Sequence, residues 1–577
     1  MKNSILVWLL YSIRVLLSTL ILIPIIARQD IVGDPLQFIR QKTQQAFDVQ
    51  GDPLQFIKHE ILRLSPVSAD NPRKNDVARV RQGAMSVGPE ELAWRVQRFP
   101  IVKAAQEKFL GMKLTDDEVL EVAISCSGGG FRAMLGSLGS LKIAQESGLL
   151  DCVMCISGLS GSTWLIGPWI ASGISLAEYK QLLFPRLKNG LMPSQSFVTN
   201  VANNLLVKFA SNQPLTSVDL YGSLLADTLL GGRDANYTYL ASNFSGYLPS
   251  NAERIANVHK YPLPVYTAVV GDEKQEWVDF TPYEVGSRAY QAYVPTWAFG
   301  RKFNKGVSTD YAPEQTLGFL MGVFGSAYCF NFRTAYQTAM PHLLEIPLLK
   351  DILEPIKLEL LEPVVYTQVG DIRFAYAAVN NFMMGISGHS LAHQEKLKLV
   401  DAGVVMSNPI FSTYRMFPEG NAPDIIIACD YGASGLGDKE LLRASAYAAE
   451  KNLPFPTLSN DTVERGKWSK QVLSMFGSAQ DTSLPVVFYM PRIKDEQLLQ
   501  QYKNNPHYAY YIKVLASLDW DRVVNKGYAN TLNMQYSPEQ AETVCALSEF
   551  NMLTQIEVIR NTMKERILAK RKMTKKE

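Results

Sequence analysis

Two strand–turn–helix units, about thirty residues apart, constrain this chain more than any other feature. The first is Val119–Cys126 (VLEVAISC), an apolar, β-branched run. It ends in Ser127-Gly128-Gly129-Gly130-Phe131-Arg132-Ala133 and passes into helical spacing from Met134. The second is Cys152–Ser157 (CVMCIS), which runs straight into Gly158-Leu159-Ser160-Gly161-Ser162-Thr163-Trp164. Apolar strands alternating with helices predict an α/β fold, a central, mostly parallel sheet with flanking helices. In such sheets the turns at the carboxyl ends of the strands carry the chemistry.

The glycine turn leaves backbone N–H groups pointing outward at a helix N-terminus, which suits a phosphate or a reaction-generated oxyanion. Gly128, Gly130 and Ala133 also fit the spacing of a dinucleotide fingerprint, with Asp151 as ribose partner. A dinucleotide fold, however, would end the next strand on its ribose-binding acid, where this sequence has Gly158-Leu159-Ser160-Gly161-Ser162. That segment is close to the G-x-S-x-G nucleophile elbow, with Ser162 in place of the last glycine. Small residues on both sides of Ser160 let the chain turn sharply and expose its Oγ at a helix N-terminus. The helix dipole there favours alkoxide character, so Ser160 is the expected nucleophile. No metal site is expected. In a strand Cys152 and Cys155 point to opposite faces, and the histidines (His59, His259, His342, His389, His393, His507) show no ligand-like pairing.

A serine nucleophile needs a base. His389 and His393, four residues apart, could supply a triad. The alternative is Asp401 in Leu399-Val400-Asp401-Ala402-Gly403, where an apolar strand leads into an acid and two small residues. That context would hold a desolvated carboxylate in a tight turn beside the serine. It favours a Ser160–Asp401 dyad over a histidine triad.

SGGGFRAM (Ser127–Met134), SGLSGSTW (Ser157–Trp164) and VDAG (Val400–Gly403) together resemble the catalytic domain shared by cytosolic phospholipase A2 and fungal lysophospholipase (phospholipase B). DFTPYEVG (Asp279–Gly286), FLMGVFGSAY (Phe319–Tyr328) and KNLPFP (Lys451–Pro456) are similar to the cytosolic phospholipase A2 branch. The resemblance runs from about Leu92 to Glu565. It implies a Ser–Asp dyad hydrolase acting on acyl esters of glycerophospholipids or lysophospholipids. Carried over by motif, the N–H groups of Gly129 and Gly130 would form the oxyanion hole, and Arg132 would face a head-group phosphate or steady the site. A structural ion pair behind the glycine turn is the other reading of Arg132. A transacylase using the same dyad, or a silent membrane-tethered lipid-binding protein, are the alternative functions. The calcium-dependent docking domain of some animal relatives does not fit into residues 1–90, which show no aspartate cluster. No cofactor, calcium included, is expected.

Charge sharpens the organisation. The 57 Lys and Arg against 55 Asp and Glu exclude a default nucleic-acid binder, and a 47% hydrophobic composition is ample for a large core. The last 18 residues, Arg560–Glu577, hold eight basic and two acidic residues and read as a basic amphipathic helix or a solvated terminus. Residues 5–27 are apolar except for Arg14 and would span ~34 Å as a helix. They predict a membrane-associated chain with a single-pass anchor in 1–30. A signal peptide, leaving the chain secreted or lumenal, and an interfacial helix are the alternatives. GDPLQFI occurs at Gly33–Ile39 and again at Gly51–Ile57, so 31–90 reads as a helical spacer. A catalytic domain over 91–565 follows, with 188–300 as a candidate cap or lid, and a basic tail over 566–577. Sequons at Asn236, Asn243 and Asn460 are near chance. A phospholipid membrane is the expected partner.

Overall fold

The computed structural model describes residues 73–191 (except 74, 85 and 86), 205–230 (except 206), 261–327, 366–417 (except 370 and 371), 421–432, 437–458 and 471–574. The apolar segment 5–27, both GDPLQFI copies and the three sequons lie outside these residues. The chain divides into two compact units. The larger holds 81–190, 242–296 and 400–577; the smaller holds 1–80, 191–241 and 297–399.

The larger unit is built on one sheet. Its strands are β1 (Arg81–Gln82), β2 (Val122–Cys126), β3 (Cys155–Gly158), β4 (Leu263–Val270), β5 (Trp277–Phe280), β6 (Glu284–Ser287), β7 (Ala292–Pro295), β8 (Ile425–Asp430), β9 (Ser474–Phe476) and β10 (Val486–Pro491), in the spatial order β1-β7-β6-β5-β4-β3-β2-β8-β10-β9. From β4 to β10 the neighbours run parallel. On both flanks they run antiparallel. The sheet is therefore mixed, where the sequence predicts a mostly parallel one. The reason lies in the connections: β5, β6 and β7 are joined by only a few residues, which can link antiparallel strands but cannot carry a crossover. The central strands β2, β3, β4, β8 and β10 are buried at every position, as both-face coverage by helices requires.

Among the described residues, the helices packed around the sheet include α1 (Pro89–Leu110), α2 (Gly130–Glu146), α3 (Thr163–Ser172), α4 (Leu176–Leu187), α5 (Gly437–Lys451) and α6 (Pro538–Thr574). Helix α1 starts with Pro89 in its first turn and with the Glu91 carboxylate accepting from the Gly88 N–H at 2.8 Å. Its Trp94 and Val102 pack with Ala123, Met154, Cys155 and Leu263. Leu441, Ala444 and Ala448 of α5 pack on alternate residues of β8 and β10: Ile426 and Ala428, Val487 and Tyr489. Helix α2 runs so close to α6 that a Cβ on Gly139 would meet the Cys545 carbonyl and the Ser548 side chain.

Three expectations need correction here. No helix among the described residues is long and apolar enough to cross a membrane, which argues against the single-pass anchor expected in 1–30, a segment that itself lies outside those residues. Helix α6 has the length, but Glu542, Glu549, Glu557, Lys564 and Arg566 interrupt any apolar span. Residues 566–574 do not form a separate tail; they continue α6 and are docked. Arg566 and Lys570 pair with Asp424 at 3.4 and 2.7 Å, and Arg571 pairs with Glu118 at 2.6 Å. Finally, the stretch 188–300 is not one insertion. Residues 263–295 supply β4 to β7, because LPVYTAVV is a buried strand sequence, while 191–241 belongs to the smaller unit.

The smaller unit contains the helices Ser217–Leu229 and Leu317–Phe324, which meet at glycines: a Cβ on Gly222 would collide with the Gly318 carbonyl. An antiparallel pair, Ala377–Asn380 with Lys396–Leu399, leads the chain toward Asp401.

Candidate active site

The strand β3 delivers the chain into a turn that only small residues permit. Ser160 sits at φ 50°, in the left-handed region, at a cost of about 1 kcal/mol for a non-glycine residue. The next residue must be glycine, because a Cβ on Gly161 would run into the backbone of Gly130. The turn around Ser160 thus touches the glycine turn. Ser162 ties the two together: its hydroxyl donates to the Ser127 carbonyl at 2.5 Å and pairs with the Ser137 hydroxyl at 2.7 Å. Thr163 then starts α3, its hydroxyl donating to the Ser160 carbonyl at 2.5 Å.

Asp401 ends the strand Lys396–Asp401. The Ser160 hydroxyl donates to its Oδ2 at 2.8 Å, and the Gly403 N–H donates to its Oδ1 at 2.9 Å. Ser160 and Asp401 are 2% and 1% exposed, so the pair is shielded from water that would weaken it. His389 and His393 belong to the smaller unit, and the partner of the Ser160 hydroxyl is a carboxylate.

The glycine turn follows β2. Gly128 donates its N–H to the Ser407 carbonyl at 2.9 Å, whereas no backbone acceptor among the described residues takes the N–H of Gly129 or Gly130. Gly129 is at φ 137° and a Cβ there would press on Arg132 Nη2 at 3.1 Å, so this position excludes side chains twice over. Arg132 is buried at 1% exposure. Its Nε donates to the Tyr431 carbonyl at 3.0 Å and its Nη1 to the Ala529 carbonyl at 3.1 Å. These two bonds to backbone carbonyls are a bracing geometry.

Sequence reasoning missed the shell around these residues. Arg492 donates from Nη1 to the Arg132 carbonyl at 2.9 Å and lies 4.7 Å from the Trp520 ring centroid. Burial, with the Arg132 charge added, pushes its pKa down to about 9. Asp430, at the end of β8, accepts from the Ser127 hydroxyl (3.1 Å), the Tyr489 hydroxyl (2.5 Å) and the Gly432 N–H (2.8 Å). Beneath the Ser160 turn, Ser157 donates to Ser125, Ser125 to Asn408 Oδ1, and Asn408 Nδ2 to the Cys429 carbonyl. That chain of bonds fixes the segment after Asp401 against β2, β3 and β8. The Asp-Tyr-Gly at 430–432 repeats the Asp-x-Gly pattern of 401–403 and was readable; Asn408 and Arg492 carry no local signal. Cys152 ends a 3-10 turn instead of opening β3, so of these two cysteines Cys155 alone lies in a strand.

A buried hydroxyl–carboxylate pair beside outward N–H groups can deprotonate a serine as it attacks a carbonyl and stabilise the resulting oxyanion. Against this geometry stand the comparisons with known proteins. The lysophospholipase catalytic domain family matches residues 122–434, more than half of the chain. Human cytosolic phospholipase A2 zeta is 28% identical over 539 residues, with 82% of this chain aligned to 60% of that protein, so the chain spans less than two thirds of that relative. The structure of human GIVD cytosolic phospholipase A2 superposes with a TM-score of 0.67 at 22% identity, covering 85% of this chain and 68% of that one. Its complex with methyl gamma-linolenyl fluorophosphonate gives 0.63 at 24% identity, covering 85% and 66%. These superpositions speak to the fold. The family match carries the assignment: the chain belongs to the cytosolic phospholipase A2/lysophospholipase catalytic-domain family, a family of ester hydrolases.

Proposed function

We propose that the chain hydrolyses fatty-acyl esters of glycerophospholipids or lysophospholipids through an acyl-enzyme on Ser160. The observation that carries this reading is the 2.8 Å hydrogen bond from the strained Ser160 to the buried Asp401. Asp401 takes the hydroxyl proton as Oγ attacks the ester carbonyl. The Gly129 and Gly130 N–H groups receive the oxyanion, lysolipid or glycerophosphodiester leaves with that proton, and water then releases the fatty acid. The turn around Ser160 is read as a nucleophile elbow. Arg132 is a positioning residue in this scheme: its two carbonyl contacts brace the glycine turn, and its positive charge at the α2 N-terminus adds to the field that favours an anion there. A phospholipid surface is the substrate-bearing partner.

The test is fatty-acid release from phosphatidylcholine and lysophosphatidylcholine vesicles by wild type, Ser160→Ala and Asp401→Asn, with and without a calcium chelator. The reading expects a loss of about a millionfold for Ser160→Ala and no effect of the chelator. Equal release by all three proteins would end it.

A further inference from the structure

Cys126 immediately precedes Ser127 and the glycine turn, and Cys429 immediately precedes Asp430. The strands β2 and β8 are parallel neighbours, and their register pairs Cys126 directly with Cys429. Paired residues of adjacent strands lie about 4.8 Å apart and share a face, inside the Cα window of about 4.4–6.8 Å that a disulfide needs. Both thiols are free and buried, at 0% and 1% exposure. The neighbouring Cys126 thiol draws the Cys429 pKa down, while the same neighbour and burial push Cys126 up. The chemistry assigned to Ser160 uses neither sulfur.

We propose that Cys126 and Cys429 form a reversible disulfide in the presence of a hydroperoxide, and that this cross-link switches off the adjoining glycine turn. The second half rests on the function proposed above; the first does not. The Cys429 sulfur attacks the distal oxygen of the hydroperoxide. The O–O bond breaks, Cys429 becomes a sulfenic acid, and an alcohol (water, from hydrogen peroxide) leaves with the thiol proton. The Cys126 sulfur then attacks the sulfenic sulfur; the S–S bond forms, the S–O bond breaks, and hydroxide leaves as water with the Cys126 proton. Two thiols lose two electrons and the hydroperoxide gains them. A dithiol reverses the step by exchange.

The bridge requires Cβ atoms about 3.8 Å apart, closer than paired residues of a relaxed sheet. Closing that gap pulls on the bond from the Ser127 N–H to the Cys429 carbonyl, 3.1 Å long, and displaces the Gly129 and Gly130 donors that follow. Strain of this kind also makes a disulfide easy to reduce, which suits a switch and not a permanent staple.

The experiment treats the full chain with hydrogen peroxide, blocks remaining thiols with an alkylating reagent, and maps peptides by mass alongside ester hydrolysis. The expected result is a Cys126–Cys429 linked peptide lacking two hydrogens, activity reduced about 100-fold, the cost of an ångström's misplacement, and recovery with dithiothreitol. Cys126→Ala and Cys429→Ala should give no linked peptide and retain activity under peroxide. Wild type with both thiols alkylated after peroxide, a link from either to another cysteine, or oxidation ending as a stable acid on Cys429 would each overturn the disulfide. A linked peptide with unchanged activity would overturn the switch. A protein without ester hydrolysis would sink the proposed function and leave the linked peptide to report on the disulfide.

Discussion

Asp401 and Asp430 are the same device placed twice. Each ends a strand, each is followed two residues later by a glycine, and each accepts that glycine's N–H on Oδ1, at 2.9 and 2.8 Å. They differ in what arrives at the rest of the carboxylate. Asp401 receives the hydroxyl of a serine held at φ 50°. Asp430 receives the Tyr489 hydroxyl and that of Ser127, whose Oγ in turn accepts from the Tyr431 N–H at 2.7 Å. One carboxylate faces a strained, candidate nucleophile; the other is saturated by groups that hold the glycine turn. The Asp-x-Gly turn makes a well-oriented carboxylate, and the neighbours across the sheet decide whether it is a base or a brace.

That contrast predicts opposite patterns of loss. Asp401→Asn should lower kcat by about ten-thousandfold while leaving thermal stability nearly unchanged, because an amide still fits the turn. Asp430→Asn should do the reverse. It forces an amide into a site built from hydroxyl and N–H donors, costing about 1–3 kcal/mol of stability, with activity falling only about tenfold through the displaced turn. Denaturation midpoints and kcat for the two variants check this; equal ratios of activity loss to stability loss would erase the distinction.

A third carboxylate extends the comparison. Asp279 accepts from the Ser412 hydroxyl at 2.7 Å, and burial raises its pKa from 3.8 to about 6, against the pull of Arg415. The folded chain therefore keeps this proton to a higher pH than the unfolded chain does. Stability should fall as pH rises from about 4 to about 6 and level off above. Asp279→Asn should flatten that descent in urea titrations at several pH values, and an unchanged slope would reject the assignment.

The smallest effect is expected at Arg571. Its bond to Glu118 draws that carboxyl down to about 2, so the pair's contribution is present above the unfolded value of 4.5 and fades as pH falls toward 2. Because the pair is partly exposed, Arg571→Ala should cost only about 0.2–1 kcal/mol at neutral pH and nothing at pH near 2. It should also raise hydrogen exchange in the last turns of α6.

How much of this was legible in the sequence follows the same division. Ser160 and Asp401 were readable because each sits at a strand-to-turn junction whose small residues have no other purpose. Asp430 carried the same signature, yet nothing local separates it from Asp401. Its role depends on Tyr489, 59 residues away, and on Ser127, 303 residues away. The antiparallel flank β4–β7 escaped because it lies inside a stretch of mixed composition that read as an insertion. The basic end of α6 read as a tail because its partners, Asp424 and Glu118, are remote in sequence. Local pattern brought out the candidate pair; long-range pairing determined what holds it.

The role proposed for Ser160 is that of a nucleophile activated by Asp401. It is tested most directly by reacting the full chain with a fatty-chain fluorophosphonate, which phosphonylates activated serines, and locating the adduct by peptide mass over time. One adduct per chain is expected, on Ser160, forming at least about a thousandfold more slowly in Asp401→Asn. An adduct on another residue, or equal rates in both proteins, would contradict it.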